Sequence, residues 1–314
     1  LFVCVYGEHY DWYQSFQIRA ATVIGILILA LNLWRASFIR HPFIALKTWT
    51  YRAVWFPFIL YIVIDILLAP SHLFEHIYME SILEYDALNV ISLNWAVLLG
   101  IIVGAGFTFF TFSRRKWRYK TMTVIAFSSI TGYLMYFYFG IDYALPKETL
   151  FVPLFLRSFG YVIIAICFLT VLSRVPFQHF FQAVSVQSFV SAGFGGALGT
   201  AILGHALNGA MKKNSMLLGS VVDHVNPFIN RIPVGEVYGA VQQQALMVSM
   251  KELYGWLTLM ALFCLLAFLV YESDIRPYKV LHPTYRSIRR FVKHELRIDL
   301  SLIHISEPTR HSLI

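Results

Sequence analysis

Charge is scarce in this 314-residue sequence: Asp, Glu, Lys and Arg make up 13% of it, about half the share of an ordinary soluble domain. Apolar residues fill the gap at 58%, with a mean hydropathy of +0.64. A soluble chain of this length has too much surface to make polar with so few charges. That excludes a soluble globular enzyme, and the apolar content equally excludes a disordered chain. Cysteine is nearly absent. Cys4, Cys167 and Cys264 lie far apart and without CxxC spacing, so neither a disulfide framework nor a zinc site is encoded. Metal-binding histidine is limited to His72-x-x-x-His76, with no second box of the kind a membrane di-iron centre needs. No Gly-rich phosphate loop and no Ser-His-Asp set stands out. No cofactor, no metal and no enzymatic chemistry are therefore expected.

What is present is long apolar runs. A helix needs about 20 mostly apolar residues to cross about 30 Å of hydrocarbon. Seven complete spans are predicted, near 18–34, 53–69, 91–112, 121–139, 150–172, 180–207 and 256–271. Leu1–Tyr6 is expected to be the end of one more. The fold class is an all-α polytopic membrane protein.

The few charges are arranged by side. Segments 35–52, 113–120, 173–179 and 272–299 together hold 17 Lys and Arg, whereas the alternating segments 7–19, 70–90, 140–149 and 208–255 hold six. Glu75, Glu80, Glu84 and Asp86 share one loop without Lys or Arg. The positive-inside rule then puts the basic segments and the C-terminus in the cytoplasm, and the others, including a long outer loop 208–255, outside. The basic run Arg114–Lys120 and the tail 272–299 are accounted for by interfacial anchoring and anionic headgroups, so the net charge of +8 implies no nucleic-acid partner.

Asp65 and Arg157 are the two ionisable residues placed clearly inside spans. Such residues are costly in lipid and are functional candidates by default. Their distances from the span ends put them at comparable depth, where they either pair, line a shared cavity, or reach water separately. Ser191, Gly195, Gly196 and Gly199 form a small-residue face suited to close helix packing.

Several local runs resemble the C-terminal half of the fourteen-span EmrB/QacA-type drug:proton antiporters of the major facilitator superfamily. Asp11-Trp-Tyr-Gln-Ser15 resembles the D-W-x-S or D-W-x-x-S run after the seventh span. Arg40-His-Pro-Phe-Ile-Ala-Leu46 resembles the following N-P-[IL]-[IV]-D-L loop, with Ala45 where Asp is usual. Leu156-Arg-Ser-Phe-Gly160 is similar to the L-R-G-x-G of the twelfth span and matches Arg157 to its arginine. Gly195-Gly-Ala-Leu-Gly-Thr200 resembles the G-G-S-I-G-T of the thirteenth, without the arginine usually just before it. Val225-Asn-Pro-Phe228 and Gln242–Tyr254 resemble the outer loop and start of the last span.

The resemblance covers 1–299. It implies that 1–52 holds the end of span seven, span eight and a cytoplasmic loop, and that 53–271 is a six-helix transporter half. The segment 272–299 is then a cytoplasmic tail. Residues 300–314 read as a sequencing-adapter scar. It further implies proton-coupled efflux of amphipathic small molecules by alternating access in the bacterial cytoplasmic (inner) membrane. The implied partners are the lipid bilayer, the missing N-terminal half, a periplasmic adaptor and an outer-membrane channel. A major facilitator carrier for another solute, or a polytopic membrane enzyme or scaffold, are the alternatives.

Overall fold

A computed structural model describes residues 2–39, 48, 52–173, 175, 177–220, 222 and 234–270. The stretches 40–46, 225–228, 272–299 and 300–314 singled out above lie outside them. The chain is an all-α membrane protein, and the described residues form no strand. Its helices are α1 (Phe2–Tyr6), α2 (Phe16–Phe38), α3 (Arg52–Leu68), α4 (Phe74–Ile77), α5 (Ala87–Phe109), α6 (Tyr119–Gly140), α7 (Phe151–Leu172), α8 (Phe177–Phe189), α9 (Gly195–Ser220) and α10 (Val234–Val270).

Local chemistry marks several boundaries. The Ser15 side chain accepts from the Gln17 backbone N–H at 3.2 Å and caps α2. Asp86 caps α5 through the Ala87 N–H at 2.9 Å. At the far end of α10, Lys120 Nζ donates to the Leu269 carbonyl at 2.7 Å, satisfying one of the acceptors a helix leaves open there.

Six helical runs among the described residues are long and apolar enough to cross a membrane: Phe16–Phe38, Pro57–Ile82, Ala87–Phe112, Tyr119–Gly140, Lys147–Leu172 and Gly235–Val270. The expected span 180–207 is helical but is not one of the six. It is divided by a π turn over Val190–Phe194, and Gln182, Gln187 and glycines stand where large apolar residues would be.

Two further expectations change. The segment 70–90 is not a plain outer loop. A 3₁₀ turn at Ala69–Ser71 leads into α4 and a π turn at Tyr78–Ile82, and Phe74, Glu75, Tyr78, Met79 and Ile82 are buried. The long loop 208–255 is largely helical, because α9 runs to Ser220 and α10 begins at Val234. At 1.5 Å per residue, the 37 residues of α10 reach about 55 Å, well beyond a hydrocarbon core of about 30 Å.

α7 packs between α5 and α6, α6 continues onto α10, α10 onto α9, and α9 onto α3. Small residues set the closest approaches. A Cβ on Gly100 would lie 2.7 Å from the Phe155 carbonyl oxygen and 2.9 Å from Ser158 Cβ, so α5 and α7 meet backbone to backbone there. α2 is different: only 6% of its apolar window is covered by the rest of the chain, against 50% for Pro57–Ile82. A helix apolar all round and so little covered by protein is one whose solvent is lipid.

Several threonine and serine hydroxyls inside the bundle are satisfied locally. Thr108, Thr131 and Ser158 donate to the carbonyls of Gly104, Phe127 and Leu154 at 2.7, 2.8 and 2.9 Å, one turn back on their own helices. Gly100→Val is expected to force α5 and α7 apart and to cost about 1–3 kcal/mol by overpacking. Thermal unfolding of the detergent-solubilised protein checks it, and an unchanged midpoint would refute the close contact.

Candidate functional site

Two buried polar centres lie in the bundle, and each contains one of the ionisable residues singled out from sequence. Arg157 lies on α7. Its Nη1 donates to Glu75 Oε2 at 2.6 Å, with side chains 16% and 5% exposed. Tyr133 of α6 donates to the other Glu75 oxygen, Oε1, at 2.6 Å. Both carboxylate oxygens are thus bonded, one with charge assistance. Tyr254 of α10 seals the cluster. Its ring stacks on Phe137 at 5.1 Å and meets Phe74 edge-on at 5.6 Å, while its buried hydroxyl lacks a hydrogen-bond partner. This centre ties together α4, α6, α7 and α10.

The sequence places Glu75 in an outer loop shared with Glu80, Glu84 and Asp86. Tertiary burial overrides that assignment. The signal that would have found it is the apolar series Phe74, Ile77, Tyr78 and Ile82 around it, whose spacing is helical rather than loop-like.

Asp65 and Arg157 are not brought together: the arginine's ion partner is Glu75. Asp65 lies on α3 and is 9% exposed, and its Oδ2 is buried with no hydrogen-bond partner. It faces the small-residue run of α9. A Cβ on Gly195 would overlap the Asp65 carboxylate, and one on Gly199 would lie 2.8 Å from Ala69 Cβ and 2.9 Å from the Asp65 carbonyl oxygen. Gly196 does not belong to this contact, since its Cβ position is open within 4 Å. Ser191 sits half-buried in the π turn that precedes Gly195.

The connecting segments gather at two ends. Tyr78 donates to the Asp142 carbonyl at 2.6 Å, Tyr85 to that of Leu145 at 2.6 Å, and Lys147 to Asn89 at 3.2 Å. Tyr143 donates to Gln244. The segments 70–90, 140–149 and the start of α10 are therefore hydrogen-bonded to one another. An open cleft of about 490 Å³ lies among them, lined by Tyr85, Asn89, Tyr143 and Lys147 but by neither Asp65 nor Arg157.

The N-terminal turn is tied to α9. Glu8 accepts from Trp12 Nε1 at 2.8 Å and from Asn208 Nδ2 at 2.9 Å, and its Oε2 lies 3.1 Å from His205 Nδ1. The hydrogen bonds from Trp12 and then Asn208 hold the Glu8 carboxyl down at about 2. The same turn carries Asp11–Ser15, with Asp11 in the left-handed region at φ 51°.

His76 pairs with Glu80 at 3.1 Å, and both are exposed. No group of three or more His, Cys, Asp or Glu side chains suited to a metal occurs among the described residues.

No protein-family profile matches this chain, and no curated protein matches it significantly.

Glu75→Leu leaves a buried guanidinium unpaired and is expected to cost about 3–5 kcal/mol. The double variant Glu75→Leu/Arg157→Met should recover most of that loss. A double-mutant cycle by thermal unfolding measures the coupling, and additive effects would refute the pairing. Because the Glu8 carboxyl is depressed, its stabilising contribution is present above pH 4.5 and lost as pH falls toward about 2. Hydrogen exchange over residues 2–15 should therefore accelerate across that window. Glu8→Gln should remove the pH dependence.

Proposed function

We propose that the chain is part of a secondary active transporter of the EmrB/QacA type, a proton-coupled exporter of amphipathic small molecules that works by alternating access. The observation that supports this most is Asp65: a buried carboxylate with no hydrogen-bond partner at Oδ2, set where two helices touch through glycine. An ionisable group kept inside a membrane bundle carries a large cost. A structural carboxylate reduces that cost with a fixed partner, as Glu75 does with Arg157. Asp65 lies instead at a seam whose closeness depends on missing side chains. A seam of that kind lets helices slide or rock, and alternating access consists of such motion between packed units.

In this reading the protein resides in a bacterial cytoplasmic membrane with its basic segments and C-terminus inside. The end that carries Glu8, Glu80, Glu84 and Asp86 faces outward. The joined extensions of α9 and α10, held by Lys213–Glu252 at 2.9 Å and Asn214–Ser249 at 2.9 Å, then form an outward surface for a periplasmic adaptor. An N-terminal half supplies the opposing wall of the cavity.

The decisive measurement is export of a fluorescent amphipathic compound by the complete protein in a pump-deficient host. Export is expected to collapse with a proton uncoupler and with Asp65→Asn. Arg157→Gln is expected to reduce it through loss of the Glu75 pair. Export indifferent to both the uncoupler and Asp65→Asn would sink the proposal.

A further inference from the structure

Among the described residues, Asp65 Oδ2 and Gln187 Oε1 are two of three buried side-chain oxygens without a hydrogen-bond partner, the third being the Tyr254 hydroxyl. An ionised carboxylate and an amide carbonyl oxygen both only accept, so neither can satisfy the other. Tyr61 connects their surroundings. It lies one helical turn before Asp65 on α3, is hydrogen-bonded to the Gln187 side chain, and has Asp65, Tyr161 and Cys167 within its electrostatic reach. Tyr161 of α7 also faces Asp65. From α9 the nearest residue is Gly195, which contributes no side chain. The groups shown to interact with Asp65 are thus two neutral phenols, and Gln187 joins them through its hydrogen bond to Tyr61. Asp65 makes no ion pair with another described residue.

What this place lacks is positive charge. A water molecule can donate to both oxygens, but it leaves the carboxylate charge uncompensated in a medium where that is expensive. An anion is repelled. We propose that Asp65, Gln187 and Tyr61 form a cation site at the α3–α9 seam, whose occupant, a proton or an alkali cation, supplies the charge that the protein withholds. An all-oxygen donor set suits either one, since hard cations take oxygen ligands. This inference rests on the transport reading and names the coupling site and its co-ligands.

The second helix makes the site conditional. Gln187 lies before the π turn Val190–Phe194 and Gly195 immediately after it, so that turn sets the rotation of one relative to the other. π turns inside helices are frequent at functional sites. With Gly195 against the carboxylate, the site is closed from the α9 side. Separation of α3 and α9 opens it. Gly195 is a positioning residue here, because it acts only through the space it leaves for Asp65.

The test needs no transported compound. The protein in native membranes is treated with a hydrophobic carbodiimide, which attacks carboxyl groups in apolar surroundings, and labelling of Asp65 is followed by peptide mass spectrometry. Exposed Glu80 and Glu84 in the same sample report non-specific reaction. If the occupant is a proton, labelling falls as pH rises and is indifferent to sodium. If it is an alkali cation, sodium chloride protects Asp65 at fixed pH where N-methylglucamine chloride does not. Gln187→Leu and Gly195→Ala are each expected to shift the dependence by about tenfold in cation concentration, equivalent to one pH unit. Labelling insensitive to both pH and sodium overturns the proposal. So does a dependence identical in parent and both variants. Cation-dependent labelling in a protein that exports nothing would leave the site standing and remove only the transport reading.

Discussion

A membrane interior offers no hydrogen bonds, so every polar group carried into it must be answered by the protein itself. The Glu75–Arg157–Tyr133 cluster answers that demand most fully, and the arrangement of the helices depends on it. One carboxylate accepts from α6 and α7 at once, each at 2.6 Å. That requires α4 to fold back into the bundle instead of extending into solvent. The aromatic wall of Phe74, Phe137 and Tyr254 excludes water around it. The same constraint acts on a smaller scale along each helix, where threonine and serine hydroxyls donate to carbonyls one turn back.

Against that background Asp65 is the charged exception among the described residues. The bundle solves its charge problem at Arg157 on α7 and leaves it open at Asp65 on α3, a helix that packs against α7. Its other contacts are tight: α9 approaches α3 so closely that neither Gly195 nor Gly199 has room for a methyl group. Tight packing beside an unpartnered acceptor is not loose construction. The proposed transport role and cation site both rest on that contrast between close packing and an unpartnered carboxylate oxygen.

The two ends of the molecule divide by charge. Backbone and side-chain hydrogen bonds draw 70–90, 140–149 and the start of α10 into one polar surface, with Glu8 fastening the N-terminal turn to α9 beside it. The other end carries Arg114 and Arg115, whose guanidinium groups lie 6.0 and 5.3 Å from the Phe110 ring. A ring and two cations at the end of a spanning helix suit the headgroup region, where aromatic and basic residues both collect.

Hydropathy alone determined that the chain is a helical membrane protein, because crossing lipid depends on length and apolarity, both of which are local properties of a segment. Residue type alone marked Arg157 and Asp65, since charge inside an apolar run is visible without any fold. The spacing Gly195-x-x-x-Gly199 likewise identified a close-packing face, but not that Gly196 would turn away from it. Partnership was decided only by tertiary structure. Glu75 is 82 positions from Arg157 and sits among acidic neighbours that disguise it as loop. The pairing exists because α4 folds back, and it also explains why Arg157 did not meet Asp65. The orphaned oxygens of Asp65 and Gln187 were equally illegible in sequence, because an unmet hydrogen bond is a property of everything that surrounds an atom.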